Sequence, residues 1–268
     1  MSTIVINCKN SLLSDQAKQL SKELGYPMLN SALNLEVKQE MFEYELILDE
    51  LGISLSPTNA KLHGAIRCDF GSAANTHRRN YGGGSGQAIA KAVGVSGRFR
   101  PKVLDLTAGL GADGFVLASL GCSMTLIERN KVVHSLLSDG LERARLAAST
   151  DTALGAIIAR ITLFGQDSKT FLQSLTLEQR PDIIYIDPMF PERKKSAKVK
   201  KEMQAFHRIV GSDDDSADLL GLALKQARYR VVVKRSVSAE QLGNLTPSYS
   251  LSGKSTRFDV FALNKLPG

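Results

Sequence analysis

The 268-residue sequence has no tryptophan, only three cysteines and four histidines, and no apolar run near the roughly 18 residues of a membrane span. Each shortage excludes something. Cys8, Cys68 and Cys122 are odd in number, far apart and outside any metal-ligand spacing, so a disulfide framework or zinc site is not expected and ordinary buried thiols are. His63, His77, His134 and His207 stand singly, so no metal is predicted. The opening "MSTIVINCKN" carries too short an apolar segment and no basic leader for a secretory signal, which predicts residence in the cytoplasm. Acidic charge is also short, with 27 acids against 34 bases, a net charge of +7 and a pI near 9.3. A polyanionic partner suits that balance.

Distribution says more than the total. Between Lys61 and Lys102 stand Arg67, Arg78, Arg79, Lys91, Arg98 and Arg100 against a single acid, Asp69. A second cluster holds Arg193, Lys194, Lys195, Lys198, Lys200 and Lys201. A lysine run is usually a solvated face, but two clusters, one of them beside a candidate active site, point to nucleic acid.

Residues 1–75 read as a small α+β domain. Apolar residues alternate at Phe42, Tyr44, Leu46 and Leu48 and again at Ile53 and Leu55, with "DELG" between, which predicts a hairpin. A helix over Ser14 to Leu24 and a third short strand at "GAIRCDF" complete the unit. Residues 76–100, "THRRNYGGGSGQAIAKAVG" and beyond, read as a basic, glycine-rich connector. Its bare backbone suits either a linker or a loop that lets phosphate approach, with His77, Arg78 and Arg79 supplying charge.

From 101 to 268 short apolar runs alternate with amphipathic segments, which predicts parallel strands covered on both faces in a doubly wound sheet. "KVKKEMQAFHRIV" is one of the expected helices, and "SDDDSAD" is expected to cap the helix after it. "SYSL" and "RFDVFAL" are separated only by "SGKST", too short for a helical crossover, so the seven-stranded sheet is expected to end with an antiparallel strand.

"VLDLTAGLGADGF" reads as strand, glycine turn and helix start. Gly109 to Gly114 matches G-x-G-x-x-G, and Glu128 lies about 20 residues on at the tip of the next strand. This combination suits a dinucleotide, and it suits S-adenosylmethionine equally, since both carry a ribose whose hydroxyls an acid can take. Asp105 just before the turn and Asp113 at the helix start favour the sulfonium cofactor. A pyrophosphate would meet two negative charges there, whereas an ammonium and a sulfonium are attracted.

"DIIYID" is the fourth strand of the series, so Asp187 is expected at the same sheet edge as Asp105 and Glu128. "DPMF" resembles the D/N-P-P-Y/F signature of amino-group methyltransferases. The chemistry explains the residue types. A base's exocyclic amine is a poor nucleophile because its lone pair is delocalised into the ring. Acceptance of its two N–H groups by the Asp187 carboxylate and the Pro188 carbonyl would favour a pyramidal nitrogen. Phe190 offers a face for an extruded base.

Taken in order, "HRRNYGGGSGQAIAKAVG", "DLTAGLGADGFVLASLGC", "LIERN", "YIDPMFPERKKSAKVKKEM", "RVVVKR" and "RFDVF" closely resemble the RsmJ family, bacterial small-subunit ribosomal RNA guanine-N2 methyltransferases, across essentially the whole chain. The resemblance implies a Rossmann-like class I methyltransferase fold, S-adenosylmethionine as donor and N2 of one guanine near the 3′ end of 16S rRNA as acceptor. It implies donor contacts at Ala112, Asp113, Glu128, Arg129, Asp167, Ser168 and Asp187, beside Asp105, Gly109 and Gly111 from the turn itself. Arg193, Lys194, Lys195, Lys234 and Arg235 join His77, Arg78 and Arg79 as expected RNA contacts. Met189 departs from the wider signature, which has a second proline there. A monomer without metal or membrane attachment is expected. Two rival readings are a nicotinamide oxidoreductase built on the literal glycine fingerprint and a ribosome-assembly factor that binds RNA without chemistry.

Overall fold

The computed structural model describes residues 4–29, 35–59, 63–72, 86–188 and 215–267. In chain order its elements are β1 (Ile4–Cys8), α1 (Ser14–Leu24), α2 (Leu35–Met41), β2 (Tyr44–Asp49), β3 (Gly52–Pro57), α3 (Ala88–Val93), β4 (Lys102–Asp105), α4 (Ala112–Ser119), β5 (Ser123–Ile127) and α5 (Lys131–Ala147). Then follow α6 (Thr152–Ile158), β6 (Ile161–Phe164), α7 (Ser168–Ser174), β7 (Ile183–Ile186), α8 (Ser216–Gln226), β8 (Arg230–Ser236), β9 (Tyr249–Ser252) and β10 (Thr256–Ala262). The described residues fall into two compact units, one drawn from Met1–Asp69 and Lys131–Arg143, the other from Phe70–Asn130, Ala144–Phe190 and Asp213–Gly268.

The first unit holds a three-stranded sheet in the order β1-β2-β3. β2 and β3 form the expected hairpin, closed at Asp49↔Gly52. The Asp49 carboxylate accepts from Leu51 N at 2.9 Å, and Gly52 takes a φ of 99°, a conformation glycine adopts without a Cβ penalty. β1 was not anticipated; it pairs parallel with β2, and α1 lies in the crossover between them. The helix over Ser14–Leu24 is as expected, with Ala17 and Leu20 buried. It stops at Gly25, whose φ of 74° ends the helical path.

"GAIRCDF" is not a strand. It makes one bridge, Leu55↔Ile66. Beyond Ile66 the chain is committed to side-chain partners instead: Arg67 reaches Asp49 at 2.9 Å, and the Cys68 carbonyl accepts from Arg143. α5 approaches this segment at Gly140, where a Cβ would stand 2.9 Å from the Cys68 carbonyl oxygen.

The second unit is built on a seven-stranded sheet, order β6-β5-β4-β7-β8-β10-β9. β4 to β8 are parallel, while β10 runs antiparallel to both β8 and β9. The antiparallel strand is therefore one in from the edge, which β9 occupies. "IIYI" and "VVV" read as unbroken apolar runs because these strands are covered on both faces, and all of these residues are buried. Leu104, Ile184, Val231 and Val233 form a core with Leu219, Leu220 and Ala223 of α8. α3, in the stretch read as a connector, packs against β8 and β10.

The chain winds outward through β4, β5 and β6 and then returns to the other side of β4 with β7. That reversal lies between β4 and β7, where the carboxyl ends of adjacent strands open a crevice. The expected helix "KVKKEMQAFHRIV" lies outside the described residues.

Candidate active site

β4 ends in Asp105, and the chain stays pinned along the sheet edge after it. Leu106 N donates to the Tyr185 carbonyl and Ala108 N to that of Ile127, both at 3.0 Å. Gly109 and Gly111 then take φ values of 54° and 74°, which turns the chain into α4 through a backbone conformation that glycine adopts without a Cβ penalty. The third glycine of the fingerprint has a different reason. A Cβ on Gly114 would stand 2.7 Å from Leu126 Cδ2, so its absence lets α4 press onto β5.

Acids ring this turn. Glu128, at the tip of β5 and buried, accepts from Gly109 N at 2.9 Å through Oε2 and from Asn130 N at 2.7 Å through Oε1. Asp105 is 2% exposed and accepts from Thr107 N at 3.0 Å. Burial pushes its carboxyl up to about 8; the Thr107 amide opposes this, Asp113 and Asp187 add to it, and Lys234 opposes it. The expectation of a fixed negative charge at Asp105 is thus corrected, because near neutrality a group this dry holds its proton.

Asp187 leaves β7 with its N–H donating to Thr107 Oγ1 at 2.7 Å. Pro188 after it is buried. Lys234 Nζ, from β8, donates to Asp187 Oδ2 and to Asp113 Oδ2, both at 2.8 Å. Asp113 Oδ2 also accepts from Tyr185 Oη at 2.8 Å. Burial, followed by Asp113, Asp187 and Asp105, holds the Tyr185 hydroxyl well above its usual range, so it stays a neutral donor. Burial lowers Lys234, but Asp187 and Asp113 outweigh it and the ammonium is retained.

Asp105, Gly109, Gly111, Ala112, Asp113, Glu128 and Asp187 are therefore gathered at one sheet edge. Others sit differently. Asp167 caps α7, accepting from Thr170 N at 2.9 Å, and Ser168 donates to the Leu106 carbonyl at 2.5 Å. Arg129 pairs with Asp215 at 3.3 Å. The "SDDDSAD" stretch was expected to cap α8; its Asp215 stands at the cap position, but the carboxylate goes to Arg129 and Lys169 and makes no capping bond.

Lys234 and Arg235, expected as RNA contacts, have partners within the protein. Lys234 is engaged by two carboxylates, and Arg235 is 8% exposed and donates to the Glu240 carbonyl at 2.7 Å. Thr107, Tyr185 and the inward role of Lys234 had not been anticipated. The available signal was a polar tip inside an apolar strand, tyrosine in "IIYI" and lysine after "VVV". Phe190, His77, Arg78, Arg79, Arg193, Lys194 and Lys195 lie outside the described residues. Among the described residues no group of His, Cys, Asp and Glu is gathered that would hold a metal ion. None of the described helices is long and apolar enough to cross a membrane.

Known proteins agree with this edge. Residues 28–263 match the SAM-dependent methyltransferase family profile. A ribosomal RNA small subunit methyltransferase J from Cellvibrio japonicus is 56% identical over 226 residues, 84% of this chain and 85% of that one. One from Marinobacter nauticus is 45% identical over 94% of this chain and 88% of its own. This chain belongs to the ribosomal RNA small subunit methyltransferase J family. A crystal structure of a SAM-dependent methyltransferase from Neisseria gonorrhoeae superposes with a TM-score of 0.71 at 35% identity, covering 97% of this chain and 96% of that one.

Methyltransferase J membership makes S-adenosylmethionine the cofactor and removes the nicotinamide reading. The residues fit it. A carboxylate accepts along roughly four lone-pair directions, so Glu128, oriented by two amides, has the chemistry to take a ribose diol. Asp113 sits in the first turn of α4, where a pyrophosphate would need positive charge. The acids of this edge suit a cationic ligand instead.

Proposed function

We propose that this chain transfers a methyl group from S-adenosylmethionine to the exocyclic N2 of one guanine near the 3′ end of small-subunit 16S rRNA. The observation that carries the reading is the position of Asp187 and Pro188 at the end of β7, beside Asp105 and the glycine turn, with the Asp187 N–H held by Thr107. The names of the relatives at 45–56% identity support ribosomal RNA as the acceptor.

When bound, the cofactor would supply an electrophilic methyl on sulfur and would keep, as a neutral thioether, the electron pair of the carbon–sulfur bond that breaks. What remains is to make a guanine amine nucleophilic. The Asp187 carboxylate accepts one N–H and the Pro188 carbonyl the other, which draws the nitrogen toward a pyramidal shape with its lone pair aimed at the methyl. The nitrogen gains a carbon and afterwards loses one proton to water, so no strong base is required. Rate comes from positioning and from preorganised acceptors. Phe190 stacks on the extruded base, which contributes about 1–3 kcal/mol. His77, Arg78, Arg79, Arg193, Lys194 and Lys195 hold phosphates around it. Residues 101–268 carry the chemistry, 76–100 the first basic loop, and 1–75 a small α+β domain whose compact unit also takes in Lys131–Arg143. The protein acts as a monomer in the cytoplasm, where its ribosomal substrate is.

Mapping methylated nucleotides in 16S rRNA from cells with and without this protein tests the substrate. A map that does not change while subunit maturation suffers would favour the assembly factor without chemistry. Asp187→Ala tests the mechanism: it is expected to bind donor and lose methyl transfer, and transfer at the wild-type rate removes Asp187 from the reaction.

A further inference from the structure

We infer that Lys234 is a positioning residue for methyl transfer: from β8 it ties Asp113, on the helix after the glycine turn, to Asp187, on the loop that meets the guanine amine. The inference rests on the role of Asp187 proposed above. Three elements converge on one ammonium, although Asp113 and Asp187 lie 121 and 47 positions from Lys234 in the sequence. Both contacts are 2.8 Å, and Tyr185 donates to the same Asp113 oxygen, Oδ2, at 2.8 Å.

An exposed ion pair would carry no such weight. This one is different in two respects. The Lys234 side chain is 29% exposed, that of Asp113 19% and that of Asp187 38%, so the bond to Asp113 acts in a partly dry setting while the bond to Asp187, nearer to water, holds direction more than charge. One cation also serves two carboxylates, Asp113 and Asp187. Without it, like charges would face one another across the crevice.

The consequence for chemistry follows from the atoms. Binding Asp187 Oδ2 fixes the plane of the carboxylate, and with the main-chain bond to Thr107 it fixes the direction from which that carboxylate receives an N–H. An ammonium at this distance also favours the ionised form, and only that form accepts with both oxygens. Through Asp113 the same ammonium sets the acceptor loop in register with the helix that follows the glycine turn. Lys234 acts through Asp187 and does not itself touch the reacting atoms.

Among the described residues, charged and titratable groups facing Lys234 and Asp187 include Asp113 from α4, Tyr185 from β7 and Asp105 from β4. On β10 the residue opposite Lys234 is Phe258, which is apolar. Removing the ammonium leaves Asp187 facing the Asp113 carboxylate with no cation between them, which favours its protonated form, and protonation puts a donor where one of its two acceptor oxygens was. A pH profile therefore separates positioning from mere support of the fold.

The experiment is single-turnover methyl transfer to rRNA at saturating donor for wild type, Lys234→Gln, Lys234→Arg and Asp187→Ala between about pH 6 and 9. Lys234→Gln is expected to lose about 100-fold at the acid end and to recover part of that as pH rises. Lys234→Arg, which keeps a cation, is expected to retain more rate and the wild-type profile. A Lys234→Gln enzyme at the wild-type rate, or one slowed equally at every pH along with Lys234→Arg, overturns the assignment. Should Lys234→Gln not fold, the Lys234→Gln/Asp113→Asn pair removes one charge of each sign and carries the same two outcomes. Asp187→Ala keeps the failures apart: if it runs at the wild-type rate, the reading of Asp187 falls and that of Lys234 with it. If it is slow while Lys234→Gln is not, only Lys234 is reassigned.

Discussion

Replacing Asp105 by asparagine should remove a loss of stability that the wild type undergoes as pH rises, and the structure says how large that loss is. Asp105 is buried at the end of β4, and its carboxyl is pushed from an ordinary 3.8 up to about 8, chiefly by burial. Between those two values the folded chain holds a proton that the unfolded chain has released. Stability therefore falls with rising pH across the window, by about 1.4 kcal/mol per pH unit, and the loss is complete above the folded value. From about pH 6 to 7.5 the expected loss is about 2 kcal/mol. Asparagine keeps the shape and an acceptor for Thr107 N but cannot ionise, so its stability lacks this slope. Urea denaturation of wild type and Asp105→Asn at matched pH values reads the difference directly. His134, lowered by burial, works in the opposite sense below 6.5, but it is present in both proteins and cancels. Two stability curves that run parallel from about pH 5 to 8 would refute the account of Asp105 as a carboxyl held neutral by its surroundings.

Glu128→Gln should weaken S-adenosylmethionine binding by about tenfold, or about 1.4 kcal/mol, because glutamine has one acceptor oxygen to divide between the Gly109 and Asn130 amides and a ribose. Calorimetry checks this, and an unchanged affinity separates Glu128 from the donor. Gly140→Ala should cost about 1–3 kcal/mol in urea denaturation despite alanine's better helix propensity, since its Cβ would meet the Cys68 carbonyl oxygen at 2.9 Å; a neutral result means that α5 can shift there. Charge reversal at Arg78 and Arg79, or at Lys194 and Lys195, should lower rRNA affinity and flatten its salt dependence by about one unit of slope per lost phosphate contact. Filter binding over a salt series tests this, with donor affinity expected to stay constant.

Much of this protein is legible in its residues because the signals are local. An apolar run that ends in an acid marks a strand and the edge it points to, and this holds for Asp105, Glu128 and Asp187 alike. Two glycines with positive φ make a turn wherever the chain goes next, and the short "SGKST" link requires a hairpin. Long-range contacts decided the rest. Pairing between β1 and β2 spans about forty residues, and nothing near Ile4 announces its partner. Ile66 makes a bridge but no strand because Arg67 and the Cys68 carbonyl find partners elsewhere. The sequence places a lysine after "VVV" but not the two carboxylates that meet it, 121 and 47 positions away. Nor does it say that Asp105 is neutral. A residue's type and spacing belong to the chain, whereas its charge state and hydrogen-bond partners depend on how much water and which neighbours the folded sheet leaves around it.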